Sequence, residues 1–114
     1  MTESVLDTVE RFNQAWGAHD LDATLTLTTP TCVFDATGPA PDGLRCVGPE
    51  AIRQAWAPIF ADTATTFTVE EVFASGNRVV QRWRYDWEGG YVRGVDVFTV
   101  SDGLVAEKLS YVKG

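Results

Sequence analysis

The chain has 114 residues, of which 45% are hydrophobic and 11% aromatic, and its formal net charge at pH 7 is −7. These values are typical of one globular domain spanning residues 1–114, and they exclude a disordered chain. The negative charge argues against nucleic acid or an anionic membrane as the main partner, because both require a basic surface.

Cysteine and histidine usage gives no sign of a disulfide framework or a metal site. Cys32 and Cys46 flank a loop, and the chain has one histidine. Neither a histidine pair nor a cysteine cluster is present in the sequence, so we expect no metal. No apolar stretch is long enough to cross a bilayer and the start of the chain shows no leader pattern, which predicts a cytoplasmic protein.

Helical periodicity dominates the first part of the chain. Residues 2–17 are predicted to form a helix with a capping pair at Ser4 and Asp7. Asp20 is predicted to cap a second, short helix that runs through Leu27 and cannot pass Pro30. The apolar face of the first helix repeats every three or four residues and consists of Val5, Leu6, Val9, Phe12 and Trp16.

A short strand and a long loop separate these helices from a third. Thr31–Asp35 is predicted to be the strand, and residues 36–48 are rich in Gly and Pro. A loop of this length is often the lid or mouth of a pocket. Pro49 fits the first position of the third helix, and Pro58 is predicted to kink or end it. The inward stripe of that helix is Ile52, Ala55, Trp56, Ile59 and Phe60.

From Thr65 onward the hydrophobic period changes to two. Gly76-Asn77, Gly89-Gly90 and Asp102-Gly103 are turn signals. They divide the rest of the chain into four predicted antiparallel strands, Thr66–Ala74, Arg78–Glu88, Tyr91–Ser101 and Leu104–Val112. Helices followed by a meander predict the α+β class. We expect a cone in which three N-terminal helices pack on a curved, mainly antiparallel sheet and leave a pocket.

The long strand carries large side chains on both faces. Trp83, Tyr85 and Trp87 share one face, and Arg84 and Asp86 share the other. Helices can cover only one of these faces, so we predict a homodimer that covers the other. The pattern does not decide which face lines the pocket. Arg84 and Asp86 could activate water or form an ordinary ion pair.

Two carboxylates are candidates for acid–base chemistry. Asp96 lies among valines in the strongest strand of the chain, where a carboxyl must find a partner or keep its proton. Asp35 ends a strand beside the loop, where it could serve as a general base or cap the next turn. If the two share a pocket, the wetter one takes a proton and the drier one donates a hydrogen bond. The alternative for Asp96 is a buried ion pair with Arg84 or Arg93.

Several motifs together resemble a known family. They are Val33-Phe34-Asp35-Ala36-Thr37-Gly38, Gly48-Pro49-Glu50-Ala51-Ile52-Arg53, Gly94-Val95-Asp96-Val97-Phe98 and Asp102-Gly103. The chain resembles SnoaL-like and ketosteroid-isomerase-like proteins of the nuclear-transport-factor-two-like (NTF2-like) superfamily, with its cystatin-like fold. The resemblance implies Asp35 as the general base and Asp96 as the protonated donor of an oxyanion hole. Phe12 takes the place of the isomerases' second donor, a Tyr, so Tyr85 or Tyr111 is a candidate replacement.

The favoured hypothesis is a cofactor-independent small-molecule enzyme, an isomerase or polyketide-cyclase-like protein that transfers a proton next to a carbonyl. Its substrate is expected to be apolar and cyclic. The alternative is a module that binds a small molecule or dimerises without turnover. A third reading follows from Arg84-Tyr85-Asp86, which resembles part of the site of limonene epoxide hydrolase; that enzyme's second Asp would fall near Ser110. The predicted substrate-binding residues are Trp16, Phe12, Trp56, Phe60, Phe98, Tyr85 and Tyr111.

Overall fold

The computed structural model of the protein describes residues 4–114. Within that part of the chain there are three helices and six strands, in the order α1, α2, β1, β2, α3, β3, β4, β5, β6. Their bounds are Val5–Gly17, Leu21–Thr26, Thr28–Asp35, Arg45–Val47, Pro49–Ala61, Thr66–Ser75, Arg78–Trp87, Gly90–Ser101 and Leu104–Val112. No helix among the described residues is long and apolar enough to span a membrane.

The helices begin at the predicted caps, although Ser4, which was predicted to lie inside the first helix, is the extended N-cap that precedes it. The Ser4 hydroxyl accepts a hydrogen bond from the Asp7 amide at 3.1 Å, and the Asp7 carboxylate accepts one from the Ser4 amide at 3.3 Å. This reciprocal pair satisfies two amides that the first turn leaves without partners. The predicted helix is thus confirmed from Val5, whereas residues 2 and 3 lie outside the described part. Asp20 caps α2 through the Ala23 amide at 3.0 Å.

The sheet contains the predicted four-stranded meander and two further strands. The strand order is β2-β1-β6-β5-β4-β3, and β1 runs parallel to β6 while the other neighbours are antiparallel. The α+β class and the curved, mainly antiparallel sheet are confirmed. Several boundaries differ from the prediction, and two of the differences involve proline. β1 begins at Thr28 and includes Pro30, and α3 continues past Pro58 to Ala61.

A bulge in the β5–β6 pairing decides which side chains of β6 face the helices. Val100 pairs with Val105, but the next pair along is Thr99 with Glu107, so one extra residue is inserted in β6. Because side chains alternate along a strand, the insertion reverses the faces of all residues that follow. Lys108 therefore lies opposite Phe98 on the helix side of the sheet, and Ser110 lies opposite Asp96.

The core lies between the sheet and the helices α1 and α3. Phe12 of α1 contacts Trp56 of α3 edge to face, with 5.8 Å between ring centroids, and contacts Phe98 of β5 at 5.5 Å. Trp56 and Phe98 are fully buried. Edge-to-face pairs of this kind add to the stabilisation that burial of the rings supplies. The helices are thereby fixed over one end of the sheet.

Cys32 gives the fold a pH dependence that can be measured. Burial, aided by the charge of Glu107, raises the pKa of the Cys32 thiol from 9.0 to about 11. Between these values the unfolded chain binds fewer protons than the folded one, so stability falls as the pH rises. We expect this thiol to lower the free energy of unfolding by up to about 1.4 kcal/mol per pH unit in that range.

The measurement is urea denaturation at several pH values from 9 to 11. Tyrosines and lysines titrate there as well, so Cys32→Ala is the control. That variant is expected to be less stable but to show a shallower fall with pH. Equal slopes for the two proteins would contradict the prediction.

Candidate functional site

A cavity of about 510 Å³ opens between the helices and the sheet. Its volume is in the range of sites for small molecules. Leu44 and Trp87 are exposed and mark its mouth, whereas Lys108 and Ser110 are buried and mark its inner end. Six aromatic side chains form most of its wall, namely Trp16, Phe34, Phe67, Trp83, Tyr85 and Trp87.

The long loop contributes one side of the wall. Ala36, Thr37, Gly38, Pro39 and Leu44 all line the cavity. The loop therefore lies at the pocket, as its length and composition predict. Part of the predicted loop is strand β2, Arg45–Val47, which pairs with the end of β1.

A hydrogen-bonded chain of three side chains closes the inner end. The Lys108 ammonium donates to the Ser110 hydroxyl at 2.8 Å, and that hydroxyl donates to Oδ1 of Asp96 at 2.7 Å. The ammonium also lies 3.4 Å from the same carboxylate oxygen. Lys108 and Ser110 line the cavity, and Asp96 is fully buried behind them. These hydrogen bonds thus link the wall of the cavity, which a ligand can touch, to a buried carboxylate.

Two amides support Asp96 from the other side. Gln81, which is fully buried in β4, donates from Nε2 to Oδ2 of Asp96 at 3.1 Å. Asn13 of α1 exchanges two hydrogen bonds with Gln81, at 2.7 and 3.1 Å. Every contact to the carboxylate of Asp96 comes from a donor, which is the pattern of an ionised carboxylate. The network fixes the position of Asp96 relative to α1.

Aromatic rings surround the Lys108 ammonium. It lies 4.7 Å from the ring centroid of Trp16 and 5.1 Å from that of Phe34, within the distance of cation–π contacts. Asp96 balances its charge, as a buried cation requires. The inner end of the cavity therefore presents the N–H donors of Lys108, and the pair of Lys108 with Asp96 carries almost no net charge.

The structure separates the two predicted catalytic carboxylates. Phe34 and Ala36 line the cavity, so Asp35, which lies between them, points to the opposite face of β1. There it forms a partly exposed ion pair with Arg45 of β2 at 3.3 Å. The expectation that Asp35 and Asp96 open onto one cavity is wrong. Their catalytic roles stay predictions.

Asp96 itself has the burial that the sequence predicts but different partners. Arg84 and Arg93, its partners in the alternative reading, both lie on the other face of the sheet. Arg84 binds Asp86 through two nitrogens at 2.9–3.1 Å, and Arg93 binds Glu70 at 2.9 Å. Asp96 pairs with Lys108 instead, because even-numbered residues of β5 face the helices.

Two of the seven predicted substrate-binding residues, Trp16 and Tyr85, line the cavity. Three others, Phe12, Trp56 and Phe98, are buried and do not line the cavity; Phe12 and Trp56 contact the ring of Trp16, and Phe98 contacts Phe12. Phe60 is also buried, with its ring centroid 4.8 Å from that of Trp16. Tyr111 is exposed on the outer face of the sheet. The apolar faces of α1 and α3 thus form core beneath the cavity, apart from Trp16, Ala55 and Ile59, which line it.

The reading of Arg84 and Asp86 as an ion pair is confirmed. Arg84 also lies 3.8 Å from the ring centroid of Tyr91 on the same face. Tyr85, between the two charged residues, is the one that lines the cavity. Because side chains alternate along β4, Arg84 and Asp86 face away from the cavity and cannot activate water inside it.

Sequence reasoning missed Lys108, Gln81 and Asn13 and gave Ser110 no role of its own. Lys108 and Ser110 are two residues apart in a strand, which puts them on one face. This spacing can be read from the sequence, but the bulge in β6 that turns this face toward the helices cannot. Within residues 4–114, no group of three or more His, Cys, Asp or Glu side chains could hold a metal ion.

Comparisons with known proteins agree with this architecture. An NTF2-like protein from Mesorhizobium loti is 40% identical, with a TM-score of 0.87 over 96% of this chain and 91% of the other. A computationally designed 17-OHP binder is 26% identical, with a TM-score of 0.83 over 99% and 93%. A proposed polyketide cyclase from Sinorhizobium meliloti shares the fold at 21% identity, with a TM-score of 0.78 over 95% and 99%.

A search among curated proteins gave no significant match. A family model described as the SnoaL-like domain matches residues 9–108, which is most of the chain. The chain belongs to the SnoaL-like domain family, within the NTF2-like superfamily.

Proposed function

We propose that the protein is a small-molecule enzyme that polarises a carbonyl group of an apolar, ring-containing substrate and transfers a proton next to it. The observation that carries this proposal is the hydrogen-bonded chain from Lys108 through Ser110 to Asp96 at the end of an aromatic cavity. A similar protein, the designed 17-OHP binder, supports a small-molecule ligand. The similar fold of a proposed polyketide cyclase is compatible with the reaction class.

Charge balance narrows the class of substrate. Asp96 already neutralises Lys108, so an anionic ligand would place a second negative charge in a buried site. A neutral carbonyl or hydroxyl oxygen can accept a hydrogen bond from the Lys108 ammonium without that cost. The aromatic wall favours a ring system for the rest of the molecule. The substrate is therefore a neutral cyclic ketone or a related compound.

In the proton transfer, a proton moves from the substrate through Ser110 to Asp96. The substrate carbonyl oxygen accepts a hydrogen bond from Lys108, which stabilises the negative charge that develops as an enolate forms. The proton from the adjacent carbon passes to the Ser110 oxygen as the Ser110 proton passes to Asp96. The substrate loses one proton and Asp96 gains one, and the reverse sequence delivers a proton to the product carbon. No cofactor is required for these steps.

Deuterium exchange tests this proposal without knowledge of the natural substrate. β-Tetralone is a neutral bicyclic ketone, and NMR in heavy water follows exchange at the carbons next to its carbonyl. We expect exchange above the buffer rate, and a loss of about a hundredfold or more for Ser110→Ala, which breaks the proton path. Exchange at the buffer rate with bound β-tetralone would overturn the enzymatic proposal.

Asp35→Asn is the matched control for that experiment. Asp35 faces away from the cavity and pairs with an exposed arginine. We therefore expect unchanged exchange and a change of less than about 1 kcal/mol in the free energy of unfolding. A large loss of exchange in this variant would instead restore Asp35 as the general base.

The alternative is a binding module without turnover, and one observation favours it. Among the described residues that line the cavity there is no Asp, Glu or His. A general base must then act through Ser110, and if that relay is ineffective the cavity only binds its ligand. Retained binding of β-tetralone with no catalysed exchange is the result that this alternative predicts.

We also infer a homodimer through the outer face of the sheet. Phe73, Tyr91 and Tyr111 are each about half exposed there, and a second copy of the chain on this face would bury all three. Ion pairs such as Arg93 with Glu70 lie between them, and the Arg93 hydrogen bond lowers the pKa of Glu70. Sedimentation at micromolar concentration is expected to give twice the chain mass, and Tyr91→Glu to give a monomer. A single 12.5 kDa species for the unmutated protein would contradict the inference.

A further inference from the structure

We propose that Lys108 forms a covalent imine with an aldehyde or an unhindered ketone that enters the cavity. This inference rests on the proposed function, because it assumes that a carbonyl group reaches the same end of the pocket. It goes further in assigning Lys108 as a nucleophile that holds the ligand. The geometry that carries it is a buried lysine at the end of an apolar cavity, with a hydroxyl and a carboxylate within reach of its nitrogen.

The surroundings of Lys108 suit an amine that reacts with carbonyl compounds. Its side chain is 7% exposed, and the nitrogen lies against the rings of Trp16 and Phe34. Apolar walls of this kind exclude water, which would otherwise hydrolyse an imine. A lysine in a hydrophobic pocket is a common origin of such intermediates. The ligand carbonyl can therefore meet the nitrogen in a dry site.

The hydrogen-bonded chain provides the route by which the ammonium becomes an amine. The proton of Ser110 moves to Asp96 as a proton of Lys108 moves to Ser110, along contacts of 2.7 and 2.8 Å. The ion pair becomes a neutral amine and a neutral acid. The same two contacts return the proton when it is needed.

The amine nitrogen attacks the carbonyl carbon, and the carbonyl oxygen takes the proton that the nitrogen loses, which gives a neutral carbinolamine. The nitrogen lone pair then expels the carbinolamine hydroxyl, which leaves as water with the proton held by Asp96 and delivered through Ser110. The products are an iminium on Lys108, ionised Asp96 and one water molecule. Asp96, 3.4 Å from the nitrogen, is positioned to neutralise the iminium as it neutralises the ammonium.

The chain contains its own control for this chemistry. It has two lysines, Lys108 in the cavity and Lys113 on the surface. Incubation with cinnamaldehyde and cyanoborohydride converts any imine into a stable secondary amine, and peptide mapping by mass spectrometry then locates the adduct. Cinnamyl alcohol has the same ring and chain but no carbonyl, so its affinity measures non-covalent binding alone.

We expect Lys108 to be labelled at least about tenfold faster than Lys113, because the cavity holds the aldehyde beside its nitrogen. Lys108→Arg keeps the positive charge beside Asp96 and cannot form an imine, so it should abolish the cavity adduct while the protein stays folded. Lys113→Arg should leave labelling of Lys108 unchanged. Excess cinnamyl alcohol should slow labelling of Lys108 but not of Lys113.

Equal or greater labelling of Lys113, with cinnamyl alcohol still bound, would overturn the covalent step and leave the proposed function standing. Failure of both cinnamyl alcohol and β-tetralone to bind would instead overturn the proposed function. Labelling of Lys108 that cinnamyl alcohol does not slow would show that the reaction does not depend on the cavity, and it would also contradict the proposal.

Discussion

Lys108→Met is expected to destabilise the protein by about 3–5 kcal/mol and to abolish exchange of β-tetralone. Met removes the ammonium that lies 3.4 Å from the carboxylate of Asp96, which is fully buried. The carboxylate then keeps its hydrogen bonds from Gln81 and Ser110 but has no cation beside it. An uncompensated buried charge is among the few causes of so large a loss from one substitution.

A double variant separates the destabilisation caused by the unpaired charge from the contribution of the ion pair to the free energy of unfolding. Asp96→Asn combined with Lys108→Met replaces the buried ion pair with neutral side chains of similar size. Such replacements are often neutral or stabilising, so we expect the double variant to recover most of the stability that Lys108→Met loses. Urea denaturation of the four proteins gives the coupling energy. Additive losses for the two single variants would contradict a direct pair.

Gly94→Ala is expected to destabilise the protein by about 1–3 kcal/mol and to block the cavity. A Cβ at Gly94 would lie within 3.0 Å of the Tyr111 carbonyl oxygen and of the indole ring of Trp83. The carbonyl belongs to the paired strand β6 and cannot move without breaking the ladder. The ring of Trp83 must shift as well, and because that ring lines the cavity, the wall of the cavity changes shape.

The measurements for Gly94→Ala are thermal unfolding and the affinity for β-tetralone. Gly17→Ala is the matched control, because a Cβ at the end of α1 has no atom within 4 Å to meet. That change is expected to be neutral or to stabilise by about 0.5–1 kcal/mol. Unchanged binding in Gly94→Ala would show that Trp83 does not form the wall of the ligand site.

Local signals were sufficient to predict the elements of the fold. The capping pair at Ser4, the cap at Asp20 and the Pro at the start of α3 each act within one helical turn. The two-residue turn Asp102-Gly103 likewise fixes its own hairpin. The strand β2 was missed because its three residues are too few to show an alternating pattern. Its partner β1 also lies on the far side of the loop.

The site was harder to predict because it depends on pairing between distant strands. Counted from the Asp102-Gly103 turn without a bulge, Asp96 would face Leu109, and Lys108 would point away from the helices. One inserted residue changes both placements. No local pattern in Ala106-Glu107 indicates that insertion. The sequence therefore identified the buried carboxylate and missed the lysine that neutralises it.

Asp35 shows the opposite case, because the sequence draws attention to the residue but not to the face of the strand on which it lies. The family resemblance implies a catalytic role, and its position at a strand end beside a loop is compatible with one. Alternation along β1 nevertheless puts Phe34 and Ala36 in the cavity wall and Asp35 on the other face. A motif gave the correct fold here, but the face on which each side chain lies decides what it can touch.

A ligand in the aromatic cavity is expected to meet the nitrogen of Lys108. Selective nitrogen-15 labelling of lysine gives side-chain NMR signals from only Lys108 and Lys113, one buried and one exposed. On titration with β-naphthol, which cannot form an imine, we expect the Lys108 signal to shift with occupancy while the Lys113 signal stays in place. Saturating binding that leaves the Lys108 signal unmoved would contradict this expectation.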